Sequence, residues 1–207
     1  MIFQEKRCFL SELFGKDVEV GWYAVIPSLT IPAAKVKFNG EEIETPEFTT
    51  PETKLFCIDI QDGKVQLMFD AAMFQMAIAP FKDDKEVVFK NSFLKKYLKK
   101  VFKPFFCQMY DLPKKSLKCD IPANYEIFGD KNGEGQLEWF KEIKHRIACD
   151  DEYNRWWWTS TKYKDDDEAS AAHFCLVYNS GIADYSDASS AYRYVRPRFV
   201  IGAQSLD

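Results

Sequence analysis

No stretch of this chain approaches the length of apolar sequence that spans a membrane. Its opening, Met1-Ile2-Phe3-Gln4-Glu5-Lys6-Arg7, lacks the apolar run of a secretory leader. The expectation is therefore a chain that works in the cytoplasm and does not enter a membrane. Histidine is scarce, with two residues, and the six cysteines at 8, 57, 107, 119, 149 and 175 include no Cys-x-x-Cys pair. That argues against a zinc site and against a disulfide framework, and for free, mostly buried thiols. No glycine-rich phosphate loop is present. Excess positive charge is missing too: the net charge is -4, which argues against direct nucleic-acid binding by the whole molecule. What the 207 residues do have is aromatics, at 16% (18 Phe, 10 Tyr, 5 Trp), enough for a thick core or an adhesive face. The length suits one domain with or without an added segment.

Residues 1–53 read as a β-rich N-terminal extension, punctuated by prolines 27, 32, 46 and 51. Arg7–Phe14 fits a short helix and Val18–Ile26 a strand. Asn39-Gly40, between Val36-Lys37-Phe38 and Glu41-Glu42-Ile43, is a tight-turn hairpin signal, and 45–53 reads as a loop. From residue 54 the pattern sharpens. Leu55–Ile60 and Val65–Phe69 alternate around Gln61-Asp62-Gly63-Lys64 as a second hairpin. Leu94, Tyr97, Leu98, Val101 and Phe102 recur at helical spacing, predicting an amphipathic helix over 91–103, capped by Asn91 or Ser92 and stopped by Pro104. Leu137, Phe140, Ile143 and Ile147 predict a second helix over 137–148.

The C-terminal stretch begins with Trp156-Trp157-Trp158-Thr159-Ser160-Thr161. Neighbouring side chains on a strand point to opposite faces, so three consecutive tryptophans require a packed layer on each side. A hairpin follows (Ala171–Tyr178, Asn179-Ser180-Gly181, Ile182–Tyr185), and the chain closes with Tyr194-Val195-Arg196-Pro197-Arg198-Phe199-Val200-Ile201. The tryptophan run, alanine-bearing strand, glycine turn and V-R-P strand resemble a bacterial or phage domain of unknown function reading W-W-L-R-S-P-G and then V-R-P-A-L. They are also similar to the Fibrobacter succinogenes major paralogous domain. The hairpin after 54 and the Asn-Ser-x-Leu-x-x-Tyr-Leu pattern extend the likeness over about 54–201. This resemblance implies an α+β, C-type-lectin-like fold for 54–207, related to formylglycine-generating enzymes: a twisted antiparallel sheet with two main helices. It also implies that the C-terminal loops and strands form the recognition surface, in a cytoplasmic or virion-associated protein of a bacterial host.

Chemistry is sparse. Asp130-Lys131-Asn132-Gly133-Glu134-Gly135-Gln136-Leu137-Glu138 mimics the start of a calcium loop, but its twelfth position is Lys141, a cation where a bidentate carboxylate belongs. A polar loop before a helix is the better reading. His145 and Cys149 at i, i+4, and His173 and Cys175 at i, i+2, lack any announced thiolate stabilisation or oxyanion site. The formylglycine-generating cysteine motif does not map onto Cys149 or Cys175. The chain is thus read as a non-enzyme without a cofactor. Charge is uneven: 82–118 carries eleven lysines against four acids, and 119–188 seven basic residues against fifteen acids. Candidate binding residues are Tyr163, Asp165, Asp166 and Asp167 in an acidic loop, with Tyr178, Asn179, Asp184, Tyr185, Asp187, Tyr192 and Arg193 in the C-terminal region. Tyrosine among Asn, Ser and Asp adds contact area at low entropic cost. Arg196 is read as a buried structural partner. Two functions fit: a recognition module for a protein or glycan, or a mobile-element-encoded inhibitor whose acidic surface blocks a host factor, for instance one that handles nucleic acid.

Overall fold

The computed structural model describes residues 3–15, 17–81, 86–115, 117–163 and 172–202. Asp165, Asp166 and Asp167 of the expected acidic loop lie outside them. The chain is mixed α+β, mostly sheet with few helices. Two larger sheets dominate, where one antiparallel sheet was expected. The six-stranded sheet runs in the order Lys6–Arg7, Trp22–Ile26, Thr53–Gln61, Lys64–Phe69, Arg198–Ile201, Leu117–Asp120. The five-stranded sheet runs Ala183–Asp187, His173–Val177, Trp157–Lys162, Tyr194–Val195, Phe74–Gln75. Most pairings are antiparallel; Lys6–Arg7 with Trp22–Ile26, and Trp157–Lys162 with Tyr194–Val195, are parallel. Trp22–Ile26 pairs with Thr53–Gln61, so residues on both sides of position 53 share a sheet.

Local sequence accounts for the hairpins. Asn39 and Gly40 take φ of 48° and 89°, and Asp62 and Gly63 take 51° and 68°, the positive angles that a two-residue turn between twisted strands requires. They join Ala34–Phe38 to Glu41–Thr45, and Thr53–Gln61 to Lys64–Phe69. In the second hairpin, alternation sends Leu55, Cys57, Val65, Leu67 and Phe69 into one core, and Phe56, Ile58 and Met68 into another. The six-stranded sheet is therefore buried on both faces.

The first helix is longer than its sequence suggests. Phe93–Tyr97 is α-helical, Leu98–Phe102 is a π turn, and Lys103–Met109 is α-helical again, so the chain passes through Pro104. Ser92 Oγ caps the start by accepting Lys95 N–H at 3.1 Å. In the π turn Lys103 N–H reaches back five residues to Leu98 C=O. Pro104 follows at the start of a new α segment, the helical position at which a missing N–H is best tolerated. Packing rewards the continuation: Phe102 and Phe106 ring centroids lie 6.0 and 4.8 Å from Phe199, and 6.0 and 5.6 Å from Phe69.

The second of the two expected helices does not form. Glu138–Lys141 and Ile143–His145 are separate 3-10 turns, broken by extended Glu142. The helical stripe fails at Ile143, which is 57% exposed, whereas off-stripe Trp139 and His145 are buried. The His145 ring stacks on the Trp139 indole at 3.8 Å, and its Nδ1 lies 2.7 Å from Trp139 C=O. Burial of that pair overrides the 3.6-residue period.

Arg196 is buried as expected of the V-R-P strand. Its Nε donates to Phe69 C=O (2.6 Å) and Nη1 to His145 C=O (2.8 Å), with Asp70 Oδ1 at 3.5 Å. Burial pulls its pKa down to about 10. Arg198 joins Asp120 (2.9 Å), Glu126 (2.6 Å) and Gln66 (2.9 Å). Among the described residues, no helix is long and apolar enough to cross a membrane.

Candidate functional site

The short ladder Ala148–Cys149 with Asn154–Arg155 throws out a tight turn at 150–153. Asp150 holds it together. Its Oδ1 accepts the N–H groups of Glu152 (3.0 Å) and Tyr153 (2.9 Å), while Oδ2 accepts from Arg155 Nε (2.5 Å) and the Tyr194 hydroxyl (3.0 Å). Burial alone would raise the Asp150 carboxyl, but the Tyr153 and Glu152 amides, with Arg155 and Tyr194, outweigh it and hold it at about 2. The turn is anchored to the sheets by Ala72 N–H donating to Cys149 C=O at 2.8 Å.

Around this turn the surface is hollowed on three sides. One depression of about 340 Å³ runs past Phe48, Phe74 and Glu152, and one of about 600 Å³ past Lys54, Asp70 and Cys149. The third, also about 340 Å³, lies among Tyr153, Arg155, Trp156, Asn179, Tyr192 and Arg193.

This third cleft has a distinct construction. Trp156 is the half-buried member of the tryptophan run, tied in by Tyr194 N–H to its carbonyl at 2.9 Å. The Arg193 guanidinium lies over its indole, 4.2 Å from the ring centroid, and the Tyr178 ring stands 4.3 Å away. Arg193 Nε points at Ser186 Oγ (3.4 Å). Burial lowers the Arg193 pKa, with Asp184 pushing it back up. Gln75 Nε2 reaches Tyr192 C=O at 3.4 Å and ties the 190–193 loop to strand Phe74–Gln75. Tyr192 is 78% exposed and Tyr153 61%.

The expected binding residues thus fall into two groups. Tyr178, Asn179, Tyr192 and Arg193 gather at the Trp156 cleft. Tyr163 and Tyr185 lie elsewhere on the five-stranded sheet, their rings stacked at 4.0 Å with the His173 ring edge-on to Tyr185 at 5.6 Å. Asp184 and Asp187 serve locally: Asp184 Oδ1 accepts Tyr185 N–H (2.8 Å), and Asp187 Oδ1 accepts the amide and hydroxyl of Ser189 (2.8 Å each). Sequence reasoning missed Gln75, Tyr153, Arg155 and Trp156. Trp156 carried a signal, since the third of three tryptophans has no face of its own to fill. Gln75 carried none.

The other chemical candidates have structural duties. Asp130 Oδ1 accepts the Asn132 and Glu134 amides at 2.8 and 2.9 Å, bracing its own loop, and Lys141 pairs with Glu138. Among the described residues, no group of three His, Cys, Asp or Glu side chains has metal-binding geometry. Without the second helix, His145 and Cys149 do not share a helical face. Burial lowers the His145 pKa, and burial with Asp70 and Asp150 raises the Cys149 thiol, so neither is activated as a nucleophile–base pair requires. All six cysteines are free, with 57, 107, 119 and 175 buried. Comparison with protein-family models, curated proteins and solved structures gives no match.

Proposed function

We propose that this chain is a non-enzymatic recognition module of C-type-lectin-like architecture, and that it binds a protein partner through the Trp156 cleft. The observation that carries the reading is the contrast between Trp156 and its surroundings. A half-buried indole with an arginine and a tyrosine packed against it forms a rigid floor, and two exposed tyrosines stand beside it: Tyr153, at 61% exposure with the Arg155 guanidinium 5.1 Å from its ring centroid, and Tyr192, at 78% exposure. Rigid aromatic and arginine anchors ringed by amides are the composition of protein-binding hot spots. The Trp156 ring itself already carries Arg193 and Tyr178, so the floor of the cleft offers no open indole face for a sugar ring. The lectin-like assignment is supported by the adjacency of the tryptophan strand, its hairpin and Tyr194–Val195 in one sheet.

The test is affinity capture with the parent chain and with Tyr192→Ala, followed by measured binding to whatever the parent retains. Tyr192 packs so little that its variant keeps the parent melting temperature, while partner dissociation accelerates by about tenfold or more. Equal retention by both chains removes the cleft from recognition. Retention of glycans and no protein assigns the cleft to sugars instead.

A further inference from the structure

We infer that the Trp156 cleft takes a carboxylate side chain from an acidic segment of the partner protein, gripped end-on by Arg193. This rests on the recognition reading above and goes on to name the chemistry of the ligand.

Two arginines line the cleft, and they differ in one respect. Arg155 is neutralised by Asp150, 2.5 Å from its Nε. Arg193 has no carboxylate within ion-pair distance among the described residues; its Nε faces only the neutral Ser186 hydroxyl, at 3.4 Å. The acid whose charge it feels, Asp184, has Oδ1 turned onto the Tyr185 amide. A half-buried cation without a counter-ion is costly to maintain in the free protein, and an incoming anion relieves that cost. The geometry is already set. The Arg193 guanidinium carbon sits 4.2 Å from the Trp156 ring centroid and its Nε points at Ser186 Oγ, 3.4 Å away, which leaves the Nη1 and Nη2 pair for two parallel hydrogen bonds to one carboxylate. Asn179 and Gln75 also line the cleft, the Gln75 amide already donating to Tyr192 C=O at 3.4 Å.

A phosphate dianion fits less well. Dianions are held where several unpaired cations converge. Here Arg193 is the one unpaired cation lining the cleft among the described residues, and Asp150, Asp151 and Glu152 form the adjoining turn. A single negative charge next to an apolar group that packs on Tyr192 is the better complement.

The experiment uses the full chain and an array of N-acetylated, C-amidated random peptides, with hits measured by fluorescence anisotropy. Binding peptides should share an Asp or Glu at one position. Changing it to Asn or Gln should weaken binding by about tenfold or more, as expected for a bidentate charge-assisted pair. Arg193→Gln should weaken the acidic peptide to the same degree and leave acidic and amide peptides equal, while Arg193→Lys should recover part of the preference. Both variants should melt close to the parent. If peptides bind in a Tyr192-dependent way but are indifferent to the acid, the carboxylate inference falls and the recognition reading stands. If no peptide depends on Tyr192 or Arg193, both fall. If uronic- or sialic-acid glycans bind through Arg193 and no peptide does, the protein source of the carboxylate is overturned.

Discussion

Trp157 and Trp158 are consecutive in the chain and lie in different cores. Trp157 packs with Phe56, Ile58, Trp139 and Phe140, and its Nε1 donates to Arg146 C=O at 2.9 Å. Trp158 packs on the other side of the five-stranded sheet with Leu176, Phe174 and the helix layer, and its Nε1 donates to Met76 C=O at 2.8 Å. Both are fully buried. One dipeptide therefore pins the sheet between two layers.

Each indole is expected to stabilise the fold by a similar and separable amount. Trp157→Ala or Trp158→Ala should cost about 3–5 kcal/mol, a large share of the ~5–15 kcal/mol of a typical domain. Phe variants retain most of the packing and lose the N–H, leaving a carbonyl short of its donor, for about 1–3 kcal/mol. Urea unfolding checks both. The two Phe effects should add, because no core is shared; strong non-additivity would mean that the layers act as one.

How much of this was legible in the sequence follows from where each feature is encoded. Asn39-Gly40 and Asp62-Gly63 fix their turns within two residues, so both hairpins could be read directly. The opposite faces of Trp157 and Trp158 follow from strand periodicity alone. The helix crossing Pro104 could not be read, because the π turn that admits the proline is selected by the seating of Phe102 and Phe106 on Phe199. Trp139 and His145 likewise broke a well-formed helical stripe through a stacking contact invisible to periodicity. The cleft was half legible: Asn179, Tyr192 and Arg193 were singled out, but Gln75 meets Tyr192 across 117 positions, and nothing in its neighbourhood announces that meeting.

Tyr97 offers a test in the opposite direction. It is fully buried between the rings of Phe48 and Phe74, and its hydroxyl has no hydrogen-bond partner among the described groups. Burial raises its pKa, so it stays neutral. Tyr97→Phe removes an unsatisfied polar atom and is expected to stabilise the chain by about 1 kcal/mol or more. Thermal melting decides; a lower midpoint would mean that the hydroxyl is satisfied in solution, for example by a buried water.

Asp150 should make stability depend on acid. Its folded pKa of about 2 lies below the ordinary 3.8, so folding favours the carboxylate. The contribution is complete above about pH 4 and disappears as pH falls towards 2, an amount on the order of 1–2 kcal/mol for a partly exposed group. Asp150→Asn should lower stability at neutral pH and flatten the fall between pH 4 and 2. Chemical denaturation at stepped pH checks this, and an unchanged acid slope in the variant would assign the dependence to other carboxylates.

The last prediction concerns the lysine-rich face of the helix. Leu117–Asp120 is the outer strand of the six-stranded sheet, and an edge strand offers unpaired backbone groups to any other chain. Here alternate carbonyls are occupied: Lys103 Nζ donates to Leu117 C=O at 3.1 Å, and Lys95 Nζ to Cys119 C=O at 2.8 Å. Lys103 also reaches Lys114 C=O at 3.1 Å. Two members of the basic block therefore cover an edge, which gives them a reason to be lysine that involves no partner. A lysine stem spans the distance to the strand, and its ammonium presents three donors without extending the ladder. Lys95→Met with Lys103→Met retains the apolar stems and removes the donors. Stability should fall by about 1–2 kcal/mol, because hydrogen bonds from charged groups are involved but the site is half exposed. Self-association should rise with concentration in sedimentation velocity, since the strand then presents bare carbonyls beside Lys118. Changing Lys99 and Lys100 instead, neither of which reaches that strand, should leave the sedimentation profile unaltered. If the Met pair also sediments as the parent does, the edge is protected by something other than these ammonium groups.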